Sequence, residues 1–132
     1  MAAGVILERL PVLRGAAVAL LPGSVAAVAN VVLAAQEPKP AALLNVTFAV
    51  IVAGFVLGGY LAGREATHDS ARHGAAAGLT AFVPIEAIGL LGRADRGDPI
   101  QAGSIVFLGL LAAVSGTLGG LFGARRNKWR SS

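Results

Sequence analysis

Cysteine is absent from this chain of 132 residues, which excludes a disulfide framework, a thiol nucleophile and a thiolate metal site. Charge is scarce as well. Charged residues make up 14% of the sequence, against about 25% in an ordinary soluble domain. A soluble domain this short leaves about a third of its unfolded surface in water and needs polar side chains to cover it. With 55% apolar residues and a mean hydropathy of +0.72, that cover is missing. The same composition excludes a disordered chain, which needs low hydrophobicity and high charge. The solvent around most of this polypeptide is therefore expected to be lipid.

What charge there is has a pattern. The net charge of +4 and the pI near 10.7 would suit a nucleic-acid partner, but the bases sit at the edges of apolar runs and mostly on one side of them. That is the distribution of a topology signal, and no nucleic-acid partner is expected. Four runs are long enough to cross a hydrocarbon core of about 30 Å, which takes about 20 residues. They are residues 15–35, 41–63, 74–92 and 99–124, and Glu86 is the one acid inside them. No period-two alternation of the kind a membrane barrel needs is present, so the spans are expected to be helices that satisfy their own backbone hydrogen bonds.

The connections are short, which forces antiparallel neighbours. Arg9, Arg14, Arg64, Arg72, Arg125, Arg126, Lys128 and Arg130 fall on one side of the spans, and Lys39, Arg93 and Arg96 on the other. This asymmetry predicts both termini in the cytoplasm. The heavy use of Ala, Gly, Val and Arg points to a GC-rich bacterial genome, and so to the bacterial inner (plasma) membrane. A cleaved signal peptide is the competing reading of the first run. That run is 21 residues long and carries Pro22 and Asn30, whereas a signal core has about 7 to 15 residues, so the span is expected to be retained.

The predicted fold is an all-α, four-transmembrane-helix bundle built from two tandem helical hairpins. Residues 1–14 form an interfacial N-terminal segment with Ile6, Leu7, Leu10 and Leu13 towards lipid. The first hairpin is 15–64 and the second 73–125. Residues 126–132 form a basic cytoplasmic tail, in which Trp129 between Lys128 and Arg130 is an interface anchor. The hairpins read as copies. Gly58-Gly59-Tyr60-Leu61-Ala62-Gly63-Arg64 and Gly119-Gly120-Leu121-Phe122-Gly123-Ala124-Arg125 lie 61 positions apart, as do Glu37-Pro38 and Asp98-Pro99. With two spans per unit, the repeat is a parallel one.

Glycine is abundant, with 18 residues. Gly54 and Gly58, Gly59 and Gly63, Gly116 and Gly120, and Gly119 and Gly123 are each four apart. Lipid tails are as apolar as leucine, so membrane helices associate by close packing, and such small-residue pairs supply it. The expected packing surface lies on spans two and four, meeting each other, spans one and three, or a second copy. Pro22 and Pro84 sit inside spans one and three and favour a kink.

Chemistry-bearing residues are few. Glu86 lies about nine ångströms from the end of its helix at 1.5 Å per residue. A carboxylate there is costly and should be paired or face the bundle. Asn30, Asn45 and Arg93 are its candidate partners. The site is either a proton or cation site or a buried polar contact. Proteolipids of rotary ATPases also combine a glycine-rich hairpin with one membrane carboxylate, but theirs lies on the second helix of a hairpin, and Glu86 lies on the first. The middle loop carries Glu65, His68, Asp69, Arg72 and His73. Metal binding or pH sensing is conceivable there, against the plainer expectation of a solvated loop with local ion pairs. Arg96-Gly97-Asp98 reads as a turn. No metal site, cofactor or catalytic constellation is expected.

Residues 58–64, 119–125 and His73-Gly74-Ala75 resemble those of small four-span bacterial and archaeal membrane proteins of unknown function, whose helices end in Gly-Gly-x-Leu-Ala-Gly-Arg. The resemblance covers most of the chain, rests on packing motifs and implies no activity. The expectation is a non-enzymatic integral membrane protein, acting as a homo-oligomer or as an accessory subunit beside another membrane protein. The alternative is a small proton- or cation-linked transporter or channel using Glu86.

Overall fold

A computed structural model describes residues 7–131, with side chains to residue 126. The basic tail with Lys128, Trp129 and Arg130, and Ile6 of the N-terminal segment, are thus placed by the sequence at side chains outside the described residues. Four α-helices follow one another: α1 Arg9–Ala34, α2 Ala41–Glu65, α3 Ser70–Arg96 and α4 Ala102–Ser131. Each is long and apolar enough to cross a membrane, and no strand occurs among the described residues. The expected all-α bundle of four spanning helices is what the chain forms.

The helix ends follow from local chemistry. Pro38 and Pro40 follow α1 closely, and a residue before proline is turned away from the helical region; α2 starts directly after Pro40. At the end of α3, Gly97 takes a left-handed conformation with φ +72°. Its N–H donates to the Ala94 carbonyl at 3.2 Å, and the Asp98 N–H reaches back to Arg93 at 2.9 Å. That is a Schellman ending, which favours glycine because a Cβ is strained at positive φ. Residues 9–14 run straight into α1, and α3 continues four residues beyond position 92. Only residues 66–69 separate α2 from α3, so most of the middle stretch read as loop is helical.

The helices form a rhombus. α1 packs on α2 and α3, α4 packs on α2 and α3, and α2 meets α3 across the short diagonal, while α1 and α4 do not touch among the described residues. The two hairpins therefore lie side by side, with α1 against α3 and α2 against α4.

Glycine decides how close they come. A Cβ on Gly54 would lie 3.0 Å from the Ala19 carbonyl oxygen and one on Gly58 2.8 Å from the Ala19 Cβ, both on α1. One residue round the same helix, Gly59 and Gly63 meet α4, where their Cβ atoms would lie 2.7 and 2.5 Å from the Gly116 and Gly120 Cα atoms. On α4, Gly116 and Gly120 face the α3 backbone at Gly74 and Ser70, and Gly119 and Gly123 face α2 at Tyr60. All eight glycines of the expected packing surface thus sit in seams within the chain.

These seams all lie near the end of the bundle that carries the termini. There and at the middle of the bundle Ala19, Ala62, Ala77, Ala81 and Ala112 are fully buried. Towards the far end, which holds the α1–α2 and α3–α4 connections, Gly89 and Gly103 have nothing within 4 Å of a built Cβ. Backbones meet towards the terminus end, whereas the far end encloses a cavity, although Gly92 of α3 still packs on Val31 of α1 there. Leu21, Val25, Val83, Leu91, Val106, Phe107 and Leu110 are among the large apolar side chains exposed outward, as lipid-facing positions must be.

Gly116→Ala places a methyl group against the Gly74 carbonyl oxygen and should destabilise the bundle by about 1–3 kcal/mol, as overpacking does. Gly103→Ala meets open space and should be neutral or stabilising by up to about 1 kcal/mol through helix propensity. Thermal unfolding of both variants in the same detergent measures the difference.

Candidate functional site

Polar side chains collect at the two ends of the bundle. At the far end the helices leave a cavity of about 330 Å³. Its α3 wall is one helical stripe, Phe82, Glu86, Gly89, Arg93 and Arg96, at steps of three and four residues. Asn30 and Val31 of α1, and Leu44, Phe48, Ile51 and Phe55 of α2, form the opposite side, with Lys39 contributed by the first connection and Leu108 by α4.

Three of the four sequence-selected residues are therefore brought together: Glu86, Asn30 and Arg93 line one cavity. Asn45 is not among its lining residues and is exposed on the first turns of α2. Asn30 instead donates to the Thr47 hydroxyl at 2.7 Å, and Thr47 donates to the Leu44 carbonyl at 2.8 Å. Thr47 was missed: its only signal is a hydroxyl two positions beyond Asn45, and so on nearly the other side of the helix. Lys39 and Arg96 were missed as members of the site. Arg96 continues the α3 stripe once the helix runs past position 92, whereas Lys39 reaches the cavity from a connection that no periodicity describes.

The far-end charges are only partly neutralised. Arg96 Nε donates to Asp98 Oδ2 at 2.9 Å, and this hydrogen bond holds the Asp98 carboxyl below the usual range. The Nη1 of the same guanidinium is buried with no hydrogen-bond partner among the described residues. The Glu86 carboxylate makes no hydrogen bond or close ion pair with a described residue, though Arg93, two turns along α3, attracts it. Three bases, one acid and the Asn30 amide thus share a mostly apolar chamber.

The terminus end holds a second cluster. His73, fully buried, lies in the first turn of α3 rather than in a solvated loop. Its Nε2 accepts the Glu8 N–H at 2.8 Å, and its Nδ1 lies 2.9 Å from the Asp69 carbonyl. A carbonyl only accepts, so the proton sits on Nδ1 and leaves Nε2 as the acceptor. Asp69 supplies that carbonyl from a left-handed backbone with φ 50°, a conformation Asp tolerates better than most residues. The Glu8 carboxylate then closes the latch, accepting from the Thr67 N–H at 2.8 Å and the Thr67 hydroxyl at 2.6 Å. His68 Nδ1 lies 3.6 Å from the same carboxylate, and Arg14 pairs with Glu65 at 3.5 Å alongside. The start of α1 is thereby tied to the α2–α3 turn. No group of three metal-ligating side chains occurs among the described residues.

Together the four apolar helices and the two polar ends define a small multi-pass membrane protein. The chain belongs to a family of proteins of unknown function, DUF3792, whose profile matches residues 9–123. That match takes in both hairpins and the whole far-end cavity. No curated protein and no solved structure matches the chain.

The hydrogen bonds from Thr67 hold the Glu8 carboxyl below the ordinary carboxylate range. A lowered folded-state pKa stabilises the latch above the ordinary glutamate value of about 4.3, and the contribution is lost as pH falls through the lowered one. Carboxyl titration by NMR should find Glu8 below the ordinary range, and Thr67→Val should bring it back up. A Glu8 titration unmoved by Thr67→Val would contradict the latch.

Proposed function

We propose that this protein is a non-enzymatic structural or accessory subunit of the bacterial plasma membrane, embedded with both termini in the cytoplasm and associating in the bilayer with itself or with another membrane protein. The observation that carries this reading is the closed half of the bundle. Backbone meets backbone along the glycine seams, the alanines between them are fully buried, and the cavity holding Glu86 is bounded towards that half by Phe55, Ile85 and Ala27. A bundle closed in this way is suited to being a rigid, preassembled unit and poorly suited to passing ions. Because the small-residue pairs are all used within the protomer, the surface left for a partner is the exposed large apolar one, including the Phe107, Leu110, Val114, Leu118 and Leu121 stripe on α4. The orientation rests on Arg9, Arg14, Arg64, Arg72, Arg125 and Arg126, which the antiparallel helices gather at the terminus end.

Two measurements test this together. Protein extracted in mild detergent should carry a partner, or copies of itself, at fixed stoichiometry. In reconstituted vesicles it should support no proton or cation flux under a pH or salt gradient. A pH-dependent flux that disappears in Glu86→Gln would overturn the accessory role in favour of transport through the Glu86 site.

A further inference from the structure

The far-end cavity has a lopsided charge. Lys39, Arg93 and Arg96 line it with one lining acid, Glu86. Asp98 beside the mouth is attracted by all three bases, so three bases face two acids and the bases stay in excess. One donor of Arg96, its Nη1, is buried without an acceptor among the described residues, and an unsatisfied guanidinium N–H away from water is costly. The Asp98 carboxylate engages only Nε of that group. Below this basic rim the lining is mostly hydrocarbon, Phe48, Ile51, Phe55, Phe82, Ala27 and Ile85, with Glu86 and Asn30 as its polar members. A volume of about 330 Å³ falls within the range of about 300–1,000 Å³ typical of small-molecule sites. Gly89 opens the chamber further, because a side chain there would meet nothing within 4 Å. An apolar chamber with a cationic mouth, set in the outer part of a membrane bundle, complements a molecule with a negatively charged head and a hydrocarbon chain. Basic pockets between spanning helices on the cytoplasmic side of membranes hold acidic lipid head groups, and the same charge complementarity is present here at the end away from the termini.

We propose that the cavity is a binding site for one anionic phospholipid of the surrounding bilayer. Arg93, Arg96 and Lys39 hold the phosphate, with the empty Nη1 of Arg96 as a donor to it, and one acyl chain lies along Phe48, Ile51, Phe55 and Phe82. Asn30 is held away from the head group by its bond to Thr47. Glu86, deeper on the same α3 stripe, opposes a second negative charge and so favours a singly charged phosphodiester. The site stands whether or not the chain also has a protein partner.

The test uses the full chain in a mild non-ionic detergent. It is incubated with phosphatidylglycerol, with phosphatidylcholine of the same acyl chains, or with inorganic phosphate, and bound molecules are counted by native mass spectrometry. One phosphatidylglycerol should be retained per protomer, about ten-fold or more over phosphatidylcholine. The Arg93→Gln/Arg96→Gln double variant should lose that preference, while Arg125→Gln, at the opposite end, should keep it. Gly89→Leu fills the chamber without touching a charge; it should reduce retention about ten-fold with no fall in the thermal midpoint, and it decides the matter if the double variant does not fold. Equal retention of the two lipids, or unchanged retention in Gly89→Leu, would overturn the proposal. So would displacement of the lipid by inorganic phosphate at equal concentration, since the chamber would then be a simple anion site.

Discussion

Everything in this molecule depends on how closely two helix backbones can approach inside a solvent that offers no hydrophobic drive. Lipid contacts a leucine as well as another helix does, so association must come from dispersion across a tight seam and from the lipid released by it. The pairs Gly59 and Gly63 on α2, and Gly116 and Gly120 on α4, bring backbone against backbone. The seams converge on α2 and α4, which have two glycine faces each, one residue out of phase. One face of each turns to its hairpin partner and the other to the neighbouring hairpin. Four helices are thereby locked by the absence of side chains.

The consequence at the other end is geometric. Beyond the glycine seams, side chains such as Phe48, Phe55 and Phe82 line the space between the helices. That space is a cavity, and Asn30 and Glu86 are among its lining residues. The terminus end is secured differently. Its latch is made of hydrogen bonds among Glu8, Thr67, His73 and the Asp69 carbonyl, near enough to water for a carboxylate to remain charged. One end is therefore tight and polar-latched, the other open and charged at its mouth.

Much of this was legible in the residues. The four spans, their helical nature and their antiparallel order follow from run length, charge and short connections, and the glycine pairs announced close seams. The partner of each seam was not legible. Gly58 meets α1 and Gly59 meets α4, a difference of about 100° of helix rotation that sequence spacing cannot assign to a neighbour. Asn45 stood as a candidate partner of Glu86, yet the rotation of α2 leaves it exposed and presents Thr47 to Asn30 instead. His73 read as a loop residue because its neighbours are charged, but α3 begins at Ser70 and carries it inward.

The sequence by itself determined the solvent. An apolar chain with 14% charge must lie in lipid, and once there its backbone has to be helical, because no water satisfies its peptide groups. Only the tertiary structure decided which residues share a space. Helix rotation is set by which glycine faces which carbonyl, a property of pairs of helices that no single segment contains. That is why Lys39 of the first connection came to line one mostly apolar chamber with Arg93 and Arg96 of α3.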